Sequence, residues 1–283
     1  MKLVAPLLLA AAGCTSVLGY PDRVSLDELP TTADGGGDAD SSVVTDGAPA
    51  SDGGADARPD AKDAGLCTSS GACPVAAYDF DEGTGLTAHD SSGNKNDGML
   101  TGVTWGMGKV RGAAYFNGAN VLVTVPASPS LDVAGTHLTL AFWAYVVDDQ
   151  PRDHVLLNKA WTAGAQDTPP YQYGVEFNHN AKTFNLYLGV TGAQSRGMSI
   201  PASPVATWTH VAFTYDGAMQ RGYINGFMVG QQAATGAIVA RGTLFRMGVD
   251  GVGLQGFSGR LDAVRIYDKT LTAQEIVALR DGT

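Results

Sequence analysis

Residues 208–230, WTHVAFTYDGAMQRGYINGFMVG, decide the fold. The run 208–216 is dense in aromatic and β-branched side chains, which fit a pleated, half-buried strand. Asp216-Gly217 closes it with turn chemistry. Asn225-Gly226 then divides the second run, residues 221–230. A type I′ turn needs positive φ at both central residues, and Asn-Gly accepts that at little steric cost, so the segment predicts a strand followed by a β-hairpin.

The same grammar extends outward in both directions. Strand-like runs occur at 75–81, 112–117, 120–126, 138–148, 173–178, 183–191 and 259–268, punctuated by Gly, Pro, Asn and Asp. One helix stands out, Thr272 to Arg280, where Thr272 and Glu275 form a capping box ahead of Ile276, Val277 and Leu279. About 210 residues of this kind, from Pro74 to the end, suit one all-β sandwich.

The series AAYDFDEGTGLTAHDSSGNKNDG (76–98), GKVRGAAYFNG (108–118), LTLAFWAYV (138–146), WTHVAFTYDG with the YINGFMVG hairpin, and GRLDAVRIYDKTLTAQEIVAL (259–279) resembles the laminin-G-like domains of the concanavalin A-like jelly-roll superfamily. The resemblance spans residues 75–280 in the expected order. It implies two antiparallel sheets packed face to face with adjacent chain ends. It implies less about function, because relatives include lectins, glycanases, adhesion modules and architectural domains. It also implies one structural calcium ion near the chain ends, with Asp262 and either Asp90 or Asn96 among its oxygen ligands. The alternative is an Asx-turn at Asp90 and a loop hydrogen bond at Asp262.

Before Pro74 the composition changes. Lys2, the apolar stretch 3–13 and the small residues before Cys14 read as a signal peptide over residues 1–13. LLLAAAGC resembles a lipobox, which implies acylation at Cys14, attachment through lipid and, with Thr15 following, the outer membrane of the bacterial envelope. The stretch is too short to cross a bilayer as a helix, which takes about 20 apolar residues. Residues 14–66 read as a disordered tether; within them 34–65 are almost entirely Asp, Gly, Ala, Ser and Pro and cannot bury enough apolar surface to offset ordering. Cys67 and Cys73 then read as a disulfide loop over 67–73, with two free thiols as the alternative.

Residues 3–73 hold 11 acids and 3 bases, against 17 acids and 14 bases from Pro74 onward, so the net charge of −10 belongs mostly to the tether. Nothing in this pattern marks a nucleic-acid footprint. The glycanase pattern Glu-x-Asp-x-x-Glu is missing, no HExxH occurs, and Ser195 misses a nucleophile elbow by one residue, so a non-enzyme is expected. Glu176 is the sole strand glutamate and is expected to face solvent or pair with a base. Trp143 and Trp208 fall in strand runs and are expected in the core, and Trp105 beneath a loop. Trp161, in the turn-rich stretch before Tyr171 and Tyr173, makes these three the candidate ligand platform; the alternative places Trp161 as a cap on the core edge. The expected function is a monomeric, non-catalytic module for glycan or cell-surface protein ligands. A structural or adhesion element without a small ligand, or a rearranged glycoside hydrolase, are the alternatives.

Overall fold

The computed structural model describes residues 66–118, 120–147, 151–159, 171–192, 197–250 and 255–282. The signal segment 1–13, Cys14, the tether up to residue 65 and Trp161 lie outside them. Among the described residues the chain forms β1 (Ala76–Tyr78), β2 (Thr87–Ala88), β3 (Gly98–Thr101), β4 (Thr104–Met107), β5 (Gly112–Asn117), β6 (Leu122–Val125), β7 (Leu138–Val146) and β8 (His154–Lys159). Then follow β9 (Tyr173–Asn178), β10 (Thr183–Leu188), β11 (Met198–Pro201), β12 (Trp208–Tyr215), β13 (Met219–Ile224), β14 (Phe227–Ala233), β15 (Phe245–Met247), β16 (Ser258–Tyr267) and α1 (Ala273–Gly282).

The strands pair into two antiparallel sheets. The first runs β14-β13-β12-β7-β16-β5-β4, with β1 also on β16; the second runs β11-β10-β9-β8-β15-β6-β3-β2. Their facing sides meet in one apolar core, to which β12 sends Val211, Phe213 and Tyr215 and β9 sends Tyr173, Val175 and Phe177. Period-two alternation puts the intervening residues on the outer faces.

Local chemistry accounts for the turns. Asn225 and Gly226 adopt φ of 50° and 82°, the left-handed pair that the β13–β14 hairpin requires. The Asp216 carboxylate accepts hydrogen bonds from the Ala218 and Met219 amides at 3.0 and 2.7 Å, closing the β12–β13 turn. On β16 the register shifts between Asp262 and Arg265. This bulge lets one strand edge serve β5 through residues 258–261 and β1 through residues 264–266.

At the helix N-terminus the Glu275 amide donates to Thr272 Oγ1 at 3.3 Å, and the Thr272 amide donates to Glu275 Oε2 at 2.8 Å. That reciprocal pair is the capping box. The helix covers one end of the first sheet's outer face, where Ile276 and Leu271 pack on Ala141, Ala212, Tyr223 and Tyr267. Cys67 and Cys73 are bonded. Their loop reaches the same helix, since Ser70 Oγ donates to Glu275 Oε1 and Ala72 packs beside the helix cluster.

Candidate functional site

The outer face of the second sheet gathers the side chains best suited to a ligand. Cross-strand register sets a row that starts at Tyr187 on β10 and passes through Gly174 on β9, Asn158 on β8, Arg246 on β15 and Thr124 on β6 to Met99 on β3. Five strand spacings of about 4.8 Å make this row roughly 24 Å long. Arg246 is half-buried, and among the described residues no carboxylate pairs with it.

An aromatic pair stands at the β10 end. Tyr171 and Tyr187 stack with ring centroids 4.8 Å apart and planes 15° from parallel. Tyr171 precedes β9, so strand alternation does not bind it, and its ring lies over Gly174. A Cβ on Gly174 would crowd the Leu157 carbonyl at 3.0 Å while touching Tyr171 Cδ1 at an ordinary 3.5 Å, so the tight limit here is the neighbouring strand. Both rings are half-exposed.

One row along, Glu176 pairs across strands with Asn185. It is only 6% exposed. Burial, reinforced by the negative field of Asp153, pushes its carboxyl up to about 7, while hydrogen bonds from Tyr187 and Asn185 pull the other way. The Tyr187 hydroxyl donates to Glu176 Oε1 at 3.3 Å, which fixes the outer ring of the stack to the acid. Burial and the Glu176 charge in turn push the Tyr187 phenol up to about 12, so it remains a donor. Asp153 accepts from the Asn178 side chain at 3.1 Å and from the His179 amide at 2.8 Å. Glu176 therefore neither faces solvent nor pairs with a base; a tyrosine hydroxyl and an asparagine amide take that place.

The sequence-predicted residues separate. Tyr171 belongs to the platform. Tyr173 does not: it is fully buried, and its hydroxyl donates to the Leu131 carbonyl at 2.9 Å, because entry into β9 turns it inward. Trp161 lies outside the described residues. Tyr187, which the sequence reading did not single out, replaces Tyr173 as partner of Tyr171; its place opposite Gly174 across the β9–β10 hairpin was the available signal. Trp105 packs on the core edge, with its indole N–H donating to the Gly85 carbonyl at 3.2 Å. Trp143 and Trp208 are not in the inter-sheet core. Both point outward from the first sheet, Trp143 buried and Trp208 half-exposed.

Asp90 and Asn96 share one loop. Asp90 accepts from the Ala77 and Ser92 amides at 2.9 and 3.0 Å, and from Ser92 Oγ and the Asn96 amide at 2.9 Å each. Asn96 donates to the Val75 carbonyl at 2.9 Å and Ser130 Oγ at 3.0 Å. Asp262 is bound elsewhere, its Oδ2 accepting from the Lys109 and Val110 amides at 2.8 and 3.0 Å. As placed, these oxygens face N–H and O–H donors, and among the described residues no three His, Cys, Asp or Glu side chains converge as metal ligands. Asp90 and Asn96 thus share one loop, while Asp262 is engaged by the turn that carries Lys109 and Val110.

A groove of about 540 Å³ opens beside Asp262, between α1 and the β4–β5 turn. Two of its three acids are paired with its two bases, Asp79 with Arg265 and Asp81 with Arg111 at 2.7 Å, while Asp262 accepts from backbone amides.

No match was found among curated protein sequences. Solved structures are similar at the level of fold. Domain 4 of an extracellular GH43 arabinanase from Geobacillus stearothermophilus, solved with arabinotriose, aligns with TM-score 0.57 and 20% identity over 74% of this chain and 98% of that one. The binding domain of Paraclostridial Mosquitocidal Protein 1 aligns with TM-score 0.58 and 16% identity over 73% of this chain and 51% of that one. A Trypanosoma rangeli sialidase aligns with TM-score 0.56 and 15% identity over 77% of this chain and 37% of that one. This chain thus spans nearly the whole arabinanase domain but only about half of the toxin domain. The family model for laminin-G-like domains of the concanavalin A-like lectin/glucanases superfamily matches residues 116–277, more than half of the sequence, and with the two-sheet sandwich described above the chain belongs to that superfamily.

Proposed function

We propose that this chain is a non-catalytic carbohydrate-binding protein, held at the bacterial envelope through a lipid on Cys14 and displayed on the acidic tether. The observation that carries the binding function is the Tyr171–Tyr187 stack at the end of a polar row. A rigid aromatic face takes the apolar face of a sugar ring, while half-buried Arg246 and Thr124 supply donors and acceptors that hydroxyls need. The fold-level similarity to an arabinanase domain solved with arabinotriose is in keeping with this.

Hydrolysis requires two carboxyl groups flanking the scissile bond, about 5 Å apart in retaining enzymes. Glu176 is a candidate acid, but the neighbouring Asp153 is committed to Asn178 and His179, which favours binding over cleavage. The anchor rests on LLLAAAGC, and multiple acyl chains hold a protein stably where one does not.

Calorimetric titration of the full chain with neutral oligosaccharides, pentose and hexose, tests the reading. Dissociation constants in the millimolar to micromolar range are expected. Tyr187→Ala should abolish binding while far-UV circular dichroism stays unchanged. Binding that survives Tyr187→Ala, or oligosaccharide shortening on incubation with the wild type, would overturn it.

A further inference from the structure

The opposite side of the sandwich carries a second platform. Beyond the helix, the outer face of the first sheet presents a row that register sets as Trp208 on β12, Tyr145 on β7, Arg260 on β16 and Tyr115 on β5. Trp208 and Tyr145 meet edge to face with centroids 5.7 Å apart. The Arg260 guanidinium lies between the two tyrosines, 5.4 Å from the Tyr145 centroid and 5.9 Å from that of Tyr115. Beside this row Lys109 Nζ stands 5.0 Å over the ring of Trp143, which packs against His210. Trp143 and Tyr145 are two residues apart on one strand, so the rings beneath the two cations are spaced by about 7 Å.

Among the described residues no carboxylate pairs with Lys109 or Arg260, and the polar contact of Arg260 is a long 3.5 Å approach to the Met107 carbonyl. Asp262, an acid on this face, is turned to the amides of Lys109 and Val110, so it fixes the turn that carries Lys109. Aromatic faces orient the cations, partly offset their desolvation and leave their N–H donors free. Lys109 and Tyr115 are exposed, and Trp208, Tyr145 and Arg260 half-buried, so the row is open to solvent.

We propose that this face binds an acidic polysaccharide, with carboxylate or sulfate groups on Arg260 and Lys109 and sugar rings on Trp208 and Tyr115. Charge complementarity selects an anion, and a guanidinium favours the planar, bidentate contact that carboxylate and sulfate offer. Two cations on a domain with 17 acids and 14 bases are too few for a nucleic-acid backbone, which is held through many phosphate contacts. This platform is independent of the Tyr171–Tyr187 site and lies on the other face of the sandwich, so one domain would engage two glycan chains at once.

The test uses the full chain in detergent with oligogalacturonate, a heparin oligosaccharide, a neutral dextran oligosaccharide and a single-stranded oligonucleotide, read by tryptophan fluorescence and calorimetry. Oligogalacturonate or heparin should bind at low salt and weaken as ionic strength rises, the better of the two naming carboxylate or sulfate as the preferred anion. Arg260→Ala and Lys109→Ala should each weaken that binding about tenfold, with unchanged melting temperature, and Tyr187→Ala should leave it intact. Acidic-sugar binding unaffected by both Arg260→Ala and Lys109→Ala, absent in the wild type, or outcompeted by the oligonucleotide, would overturn the proposal.

Discussion

Replacing Glu176 with Gln should stabilise the protein, and only above mild acidity. The folded carboxyl titrates near 7 instead of 4.5, because burial and Asp153 disfavour its charge. An acid with a raised folded pKa holds more protons folded than unfolded between those two values, so its contribution falls as pH rises from 4.5 through 7. At about 1.4 kcal/mol per unit, a shift of this size costs the wild type about 3 kcal/mol by pH 8. Glutamine keeps the shape and the contact with Tyr187 but carries no charge. Glu176→Gln should therefore exceed the wild type by about 3 kcal/mol at pH 8, which is roughly 6 to 12 °C in melting temperature for a domain of this size. At pH 4 the two should coincide or the variant be slightly weaker, since the added amide N–H needs an acceptor. The wild-type curve alone will not isolate the effect. His210, pushed down to about 4 by burial and by Arg280, loses stability as pH falls below 6.5, in the opposite direction across the same window. The variant-minus-wild-type difference, from urea unfolding at pH 4, 5.5, 7 and 8.5, removes His210. A difference that does not change with pH, or a variant weaker at pH 8, would refute the reasoning.

Other perturbations follow from the same geometry. Cys14→Ser should move the protein from the membrane to the soluble fraction or leave it unprocessed; unchanged fractionation and mass would count against the lipid anchor. Cys67→Ala with Cys73→Ala should lower stability by about 2 kcal/mol, the closure entropy of so short a loop, and loosen α1 as seen by hydrogen exchange at its first turn. Glu275→Ala removes the capping box and the Ser70 contact together and should cost about 1 kcal/mol or more at neutral pH. That loss should fade as pH falls from 4.5 toward 2, because the Ser70 and Thr272 hydrogen bonds hold the Glu275 carboxyl down to about 2 and so contribute stability only while it is ionised. Chelating calcium should leave the melting temperature unchanged, since Asp90 and Asp262 are engaged by N–H and O–H donors; a fall of several degrees would show that their surroundings rearrange around an ion.

Local chemistry made much of the architecture readable. Asn225-Gly226 reads as a hairpin because positive φ at two successive residues is a property of those residues. Thr272 and Glu275 read as a helix start because both partners of the capping box lie within one turn. Cys67 and Cys73 are close enough in sequence for pairing to be an obvious possibility. Periodicity likewise located most strands, since alternation is printed along the chain. The same pattern does not say which side of a sandwich is outside, or what stands across from a residue on another strand. Tyr171 and Tyr173 look equivalent in sequence, yet only Tyr173 is inside β9 and turned to the core, while Tyr171 folds over Gly174 onto Tyr187. Trp208 reads as core because its run is apolar, but the core takes Val211 and Phe213, and the alternate positions carry Trp208 outward to Tyr145. Glu176 owes its raised pKa to burial and to Asp153, against hydrogen bonds from Tyr187 and Asn185 that pull it down, and these neighbours come from the segment before β8 and from β10. Asp262 meets the amides of Lys109 and Val110 across 153 and 152 residues of chain. Sequence by itself determined the elements, their turns and their membership of an all-β sandwich, because those depend on short-range sterics and hydrogen bonds. Only the tertiary structure decided which aromatics form platforms and which acids are committed, because sheet register sets cross-strand neighbours and burial sets the cost of a charge.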